Sequence, residues 1–251
     1  MSVTVQYVIL ATILIISCLA VVVGSVLYFY RDPDRKVIKI DNAVLSPADG
    51  TVISLRRYRA GVAPIISKDG RCFRVDELAN TAVLGSDGTI ISIHISPLDI
   101  HTIRSPAYAK VVYISRIGGG LKLMRDPTFE TTNERVSIVL ETAYGVIGIV
   151  VVGAPIASSV KTLVDVGSHV QAGERIARIR LGSLANLIIP DACGLKPTIS
   201  CGRRVLAGLT VVAGQAISLA EECYTPKGST AMERLYLSFL AAYTLVKKLG
   251  H

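Results

Sequence analysis

Positions 3 to 30 carry no charged residue, and the apolar run they form is longer than the ~20 residues a helix needs to cross a bilayer. The run is too long for the apolar core of a secretory signal, and no small-residue cleavage site follows it, so a retained anchor is expected. Tyr28 and Tyr30 fall where an interfacial aromatic belt belongs. Arg31, Arg35, Lys36 and Lys39 follow, and the positive-inside rule then puts the rest of the chain in the cytoplasm. Gly24 and Ser17 keep an interfacial or re-entrant helix as the rival reading. Pro33 disfavours a helical Asp32, so the run Arg31-Asp32-Pro33-Asp34-Arg35 ends the helix and is expected to be a solvated flank at the headgroup level.

From Leu45 onward the pattern changes to short aliphatic runs bounded by turn residues, which read as strands. Leu45 to Ile53 reads as a turn feeding a strand, and Thr89 to Ser96 as a strand stopped by Pro97. Val136 to Glu141 and Val146 to Val152 flank a Tyr-Gly turn, while Ile176 to Leu181 and a run ending at Pro190 flank Gly182-Ser183. A repeat follows the same logic. Gly167 to Ile176 has the form GxxVxAGxxI, and Gly202 to Val211 has the form GxxVxAGxxV. Each copy reads as strand, turn, strand with glycine where a positive φ is wanted, and resembles the hairpins of lipoyl- and biotinyl-type barrels. Thr230 and Glu233 form a capping box ahead of Met232, Tyr236, Phe239, Tyr243 and Val246 at helical spacing, with Lys247 and Lys248 at the carboxyl end. The expected architecture is mainly β, with an N-terminal hydrophobic helix, a C-terminal amphipathic helix and a lipoyl-like barrel or sandwich core. The expected segments are 1–30 (anchor), 31–221 (β-rich domain) and 222–251 (helical extension).

Composition narrows the partners. Hydrophobic residues make up 51% of the 251, and 27 basic against 19 acidic residues give a net charge of +8. An anionic surface is therefore favoured. There is no tryptophan, only four phenylalanines, and no interleaving of basic and aromatic residues, so lipid is favoured over nucleic acid. Cys18, Cys72, Cys193, Cys201 and Cys223 are odd in number, scattered and without a CxxC. They read as small hydrophobes in a reducing compartment, not as a disulfide framework or a zinc site.

Candidate chemistry centres on Gly182-Ser183. A serine held after a glycine can attack the preceding carbonyl, although Gly-Ser is also a common turn dipeptide. Asp49 precedes Gly50 and can equally be a hairpin-turn carboxylate. Asp99 stands two residues before His101, which puts both on one side of an extended segment, where a carboxylate orients or charges an imidazole. Residues 116–127, with Gly118-Gly119-Gly120, form a lid or a linker and lack the lysine-serine pair of a phosphate loop. Neither repeat offers a lysine at its tip, as a carrier domain would need, and no His-x-His zinc pair is present. A non-catalytic, membrane-anchored interaction module remains the alternative.

Taken in order, the hydrophobic amino terminus, Arg31-Asp32-Pro33, Ser46-Pro47-Ala48-Asp49-Gly50, Ser96-Pro97-Leu98-Asp99-Ile100-His101, Asn133-Glu134-Arg135 and Gly182-Ser183 resemble the short, prokaryotic form of phosphatidylserine decarboxylase, together with its archaetidylserine-directed archaeal relatives. The resemblance covers about residues 25 to 215. It implies a self-processing enzyme cut between Gly182 and Ser183, with Ser183 as nucleophile, His101 as base and Asp49 as the carboxylate that orients it. It implies a pyruvoyl group derived from Ser183 that forms a Schiff base with a membrane serine phospholipid, with no metal and no pyridoxal phosphate. It implies that chains 1–182 and 183–251 stay together as a heterodimer, in a higher oligomer or alone. Arg104 and Arg135 are candidate phosphate partners, with surface roles as the alternative. A degenerate homologue that no longer processes is the remaining alternative.

Overall fold

The computed structural model describes residues 3–37, 40, 42–64, 72–120, 122–124, 126, 128–153, 160–180, 183–215 and 223–224. The expected C-terminal helix lies outside these residues. Helix α1 (Val3–Phe29) is apolar along its length, and its 27 residues rise about 40 Å, more than the ~30 Å hydrocarbon core of a bilayer. Its window from Thr4 is long and apolar enough to cross a membrane and is exposed throughout.

The rest is mainly β. The first group comprises β1 (Ala43–Leu45), β2 (Gly50–Tyr58), β3 (Val62–Pro64), β4 (Cys72–Arg74), the short helix α2 (Val75–Ala79) and β5 (Gly88–Ile95). Then come β6 (Thr102–Arg104), β7 (Ala109–Ile117), the single turn α3 (Phe129–Thr132), β8 (Arg135–Thr142) and β9 (Gly145–Val152). The last are β10 (Val160–Thr162), β11 (His169–Val170), β12 (Arg175–Ile179), β13 (Ser183–Pro190), β14 (Lys196–Pro197), β15 (Arg204–Val205), β16 (Val211–Gly214) and β17 (Cys223–Tyr224). One large antiparallel sheet runs β11-β7-β8-β9-β13-β5-β2-β15, with β17 also on β2. The trios β1-β16-β14 and β10-β12-β6 flank it.

The central strands are buried on both faces, which is why they read as near-continuous aliphatic runs. On one face Ile91, Ile93 and Ile95 of β5 pack with Ala185, Leu187 and Ile189 of β13 and with Ile138, Leu140, Ile147 and Ile149. On the other, Ile90, Leu184, Ile188 and Val150 lie in a second core with Leu78, Ala79 and Phe129 from α2 and α3. A polar row crosses this second face: Ser54, Ser92, Asn186, Val150 and Ser137 are successive register partners on β2, β5, β13, β9 and β8. Arg56 and Glu130 close over it as a buried ion pair at 2.7 Å, with Asn186 donating to Glu130 and Arg56 to Ser92.

Each copy of the repeat forms strand, turn, strand, but not a hairpin, because its two strands pair elsewhere: β11 with β7 and β12 with β6 and β10, β15 with β2 and β16 with β1 and β14. Gly167, Gly173, Gly202 and Gly208 all have φ between 71° and 93°, and the turns at Gly173 and Gly208 meet, so that a Cβ on Gly208 would come 2.9 Å from the Gly173 Cα. Each unit pairs with a long strand that leaves a Ser-Pro-Ala turn: β15 with β2 after Ser46-Pro47-Ala48, and β11 with β7 after Ser105-Pro106-Ala107. In both turns the serine hydroxyl donates to the alanine carbonyl at 2.7 Å. The turns are also reciprocal, since Leu45 N–H donates to the Pro106 carbonyl and Arg104 N–H to the Pro47 carbonyl. The domain is thus built on an internal duplication larger than the glycine repeat alone.

Two expectations change. Cys201 is disulfide-bonded, so the cysteines are not all free thiols. The glycine-rich stretch is pinned, because the Asn133 side chain brackets the Lys122 backbone with bonds of 2.7 and 2.9 Å and Gly120 N–H donates to Thr132.

Candidate active site

Strand register brings the sequence motifs to one end of the large sheet. Ser183 opens β13 opposite Ile95 of β5, and the next pair is Leu184 with His94. His94 also faces Thr51 of β2, so Gly50 lies one position beyond that pairing, with Asp49 next to it. On the other side Leu184 faces Val152 of β9, which faces Arg135 of β8. Gly153 N–H then donates to the Glu134 carbonyl at 2.9 Å. Residues 49–50, 95–96, 183, 153 and 133–134 therefore border one another across five strand ends, though they are distant in the chain. Gly50 is required there: a Cβ would strike the His94 carbonyl, coming 2.9 Å from its carbon.

His101 reaches the same end from the loop after β5. Its carbonyl accepts the Ile179 N–H at 2.8 Å, so the chain passes His101 four residues before it re-enters the sheet at Ser183. The ring is buried, and among the described residues neither Nδ1 nor Nε2 has a hydrogen-bond partner within normal geometry. Burial pushes its pKa below the ordinary histidine value; Asp99, through backbone and charge, opposes this, and Arg31 adds to it. Burial thus favours the neutral imidazole, the form a general base requires. Phe29, the last residue of α1, covers the ring with centroids 4.5 Å apart.

Asp49 is buried, and its carboxylate is held by Arg35 through bonds of 2.6 and 2.8 Å and by the Ala207 N–H at 2.7 Å. Its described partners do not include His101. Asp99 is likewise engaged, by the Ser96 N–H at 2.8 Å and by Arg204 at 2.5 Å. Gly182 and the Ser183 side chain lie outside the described residues. Among the described residues, no group of three His, Cys, Asp or Glu side chains is placed to hold a metal.

The segment after α1 is not a solvated flank. Arg31 stacks over Tyr28 and donates to the Leu98 carbonyl at 2.6 Å. Asp32 accepts from Arg104, Arg175 and Arg178, each at 2.8 Å. Burial raises the Asp32 pKa, but hydrogen bonds from Arg175, Arg178 and Thr102 outweigh it and hold the carboxyl below its usual range. Arg104 is buried against Asp32 and the Gly173 and Pro33 carbonyls. Arg135 is buried and donates to the backbone carbonyls of Leu78, Thr131, Asn133 and Glu77. Both arginines are committed to internal partners, which accounts for neither a phosphate contact nor a surface role. Sequence reasoning missed Phe29 and Arg35 as site neighbours. The available signal was only that polar and aromatic residues crowd just past an apolar helix.

A helix-tethered β protein with a Gly-Ser strand entry, a neutral buried histidine and two buried aspartates at one sheet end is a candidate acyl-processing enzyme. The phosphatidylserine decarboxylase family model matches residues 24–213. A Methanocaldococcus jannaschii protein provisionally named archaetidylserine decarboxylase proenzyme is 35% identical over 187 residues, covering 74% of this chain and 87% of its own. A Methanothermobacter thermautotrophicus protein of the same provisional name is 31% identical over 199 residues (76% and 81%). The phosphatidylserine decarboxylase proenzyme of Zymomonas mobilis is 33% identical over 205 residues (81% and 76%). The chain belongs to the phosphatidylserine decarboxylase family.

Proposed function

We propose that the chain is a self-processing decarboxylase of a membrane serine phospholipid, phosphatidylserine or archaetidylserine, yielding the ethanolamine lipid and carbon dioxide. The observation that carries this reading is the convergence of Asp49-Gly50, Ser96, His101 and Asn133-Glu134 on the backbone of Ser183, in a chain whose relatives are named decarboxylase proenzymes.

The Ser183 hydroxyl attacks the Gly182 carbonyl and converts that peptide bond into an ester. A serine hydroxyl is a weak nucleophile until a base takes its proton; neutral His101, whose carbonyl accepts from Ile179 four residues before Ser183, is assigned that role. Asp49 is the carboxylate assigned to the histidine, with Arg35 as its present partner. Elimination across the Ser183 Cα–Cβ bond releases chain 1–182 with a carboxylate end and leaves dehydroalanine, and water then replaces its nitrogen as ammonia to give a pyruvoyl group. Ser183 suits that group because β13 is bonded to β5 and β9 from its first residues, so the new chain end stays in the sheet after scission and chains 1–182 and 183–251 stay together. The pyruvoyl carbonyl supplies the sink for the electron pair left when the substrate carboxylate departs. His101 returns a proton to the substrate carbon. Helix α1 holds the domain at the cytoplasmic face, where substrate and product both remain in the bilayer. The lipoyl-like character of the repeat pair belongs to this reading as the scaffold that brings the two halves together.

The test is the intact mass of the denatured full-length protein beside Ser183→Ala, together with conversion of serine lipid in vesicles. Two fragments, 1–182 and a 183–251 chain lighter than its serine-headed mass, with ethanolamine lipid formed, are expected for the parent; Ser183→Ala stays whole and inactive. A parent that stays as one chain in lipid refutes the reading.

A further inference from the structure

We infer that Phe29, at the end of the membrane helix, is a positioning residue of the active site that keeps His101 dry and correctly turned, so that the helix completes the site as well as anchoring it. The inference rests on the processing reading above. Four contacts fix the helix end to this place. Phe29 lies against the His101 ring at 4.5 Å with an interplanar angle of 36°. Arg31 reaches the Leu98 carbonyl, on the loop that carries His101, at 2.6 Å. Asp32 gathers Arg104, Arg175 and Arg178 from β6, which follows His101 directly, and from its partner β12, whose Ile179 N–H donates to the His101 carbonyl. Arg35 grips Asp49 and the Ala207 carbonyl. The strap therefore touches the loop of the base, the strand leading to the cleavage point and the acidic residue, all within seven residues of sequence.

What the ring lacks makes the role specific. Among the described residues, both imidazole nitrogens are buried without a hydrogen-bond partner. A histidine left this way is oriented by packing, and the aromatic ring that packs on it is Phe29. The charged groups acting on it are Asp99 on its own loop and Arg31 at the helix end. Removing the Phe29 ring opens a gap beside the imidazole, admits water, and relieves the burial that disfavours the protonated form. The base must be neutral to act, so processing rises with pH through the histidine pKa. A wetter His101 titrates higher, and the rising limb moves to higher pH.

The experiment compares full-length parent, Phe29→Ala and Phe29→Leu in phospholipid vesicles, following the rate of chain cleavage by intact mass as a function of pH. Phe29→Ala is expected to shift the rising limb upward by about half a unit and so to slow cleavage about threefold at the foot of the limb. Phe29→Leu retains an apolar cover and is expected to keep the parental limb. NMR titration of the His101 ring in the uncleavable Ser183→Ala precursor, with and without Phe29→Ala, must give the same upward shift without any processing. A parental limb and ring titration in Phe29→Ala overturn the proposal, as does an equal displacement in both variants, which would mark a purely structural role. A parent that never cleaves instead refutes the processing reading, and the ring titration then decides on Phe29 alone.

Discussion

Replacing Asp32 by asparagine should loosen the strap between helix α1 and the β domain, and its cost follows from burial. The Asp32 side chain is 9% exposed and serves three arginines, whose side chains are 4% (Arg104), 34% (Arg175) and 48% (Arg178) exposed. Stripping the partner from a buried charge typically costs about 3–5 kcal/mol, whereas solvent-accessible pairs contribute about 0–1 kcal/mol each. Only Arg104 is in the first class, and it keeps the Gly173 and Pro33 carbonyls. Asparagine also keeps one acceptor oxygen. The expected loss at neutral pH is therefore about 2–3 kcal/mol. The sign with pH is fixed by the depressed carboxyl of Asp32. Its stabilisation is complete above the ordinary value of 3.8 and is lost as pH falls through the lower folded value, so the gap between parent and variant should narrow in acid. Urea unfolding of full-length Ser183→Ala and Ser183→Ala/Asp32→Asn in micelles, at pH 7 and then in steps below 4, measures both quantities. A difference under about 0.5 kcal/mol at pH 7, or one that does not shrink in acid, would show that the arginines find other partners and that the strap is not held by this carboxylate.

Further outcomes follow from the same contacts. Parental cleavage should reach half its maximal rate below pH 6.5, since burial lowers the His101 pKa; a limb centred above 6.5 would contradict a dry base. Gly50→Ala should block cleavage and lower the melting temperature, because the new Cβ strikes the His94 carbonyl in the strand beside Ser183; unimpaired cleavage would refute that packing. Glu130→Ala should cost about 3–5 kcal/mol by stranding Arg56, while Arg56→Met with Glu130→Leu should recover much of it, as read by denaturant unfolding.

The strands were legible because each is short, aliphatic and closed by a turn residue. Ile90 to Ile95 and Leu184 to Ile189 could be read directly, although burial on both faces hid which residues point where. Helix α1 was legible from length alone. The strap was not, because its partners are remote: Arg31 meets Leu98 67 residues on, and Asp32 meets Arg178 146 residues on. Residues 31–35 therefore look like an ordinary charged flank. Asp49 was ambiguous for a similar reason. Asp-Gly is a turn signal whatever the carboxylate does, and only the Arg35 and Ala207 contacts reveal a buried acid. Arg135 misled because a conspicuous arginine suggests an anion, whereas this one satisfies four backbone carbonyls.

The duplication explains why the fold alone does not specify the chemistry. Ser46-Pro47-Ala48 and Ser105-Pro106-Ala107 make the same turn, each leads into a long strand, and each of those strands meets one copy of the glycine repeat. The residue after the turn is Asp49 in one half and Tyr108 in the other. Asp49 sits under the repeat alanine Ala207, close to the strand entry at Ser183. Tyr108 stacks on His169 and, with the equivalent repeat alanine Ala172, lines a cavity of about 540 Å³ whose walls are largely aliphatic and aromatic. In that half β8 and β9 are joined directly by the short turn at Ala143-Tyr144. In the first half β5 is paired with β13, which arrives from a distant part of the chain, so the proposed cut at its head would leave the sheet intact. The same scaffold thus offers two equivalent positions. The proposed cleavage falls at the one that combines an acidic residue, a histidine loop and a non-local strand pairing, a combination that would let the two chains stay assembled.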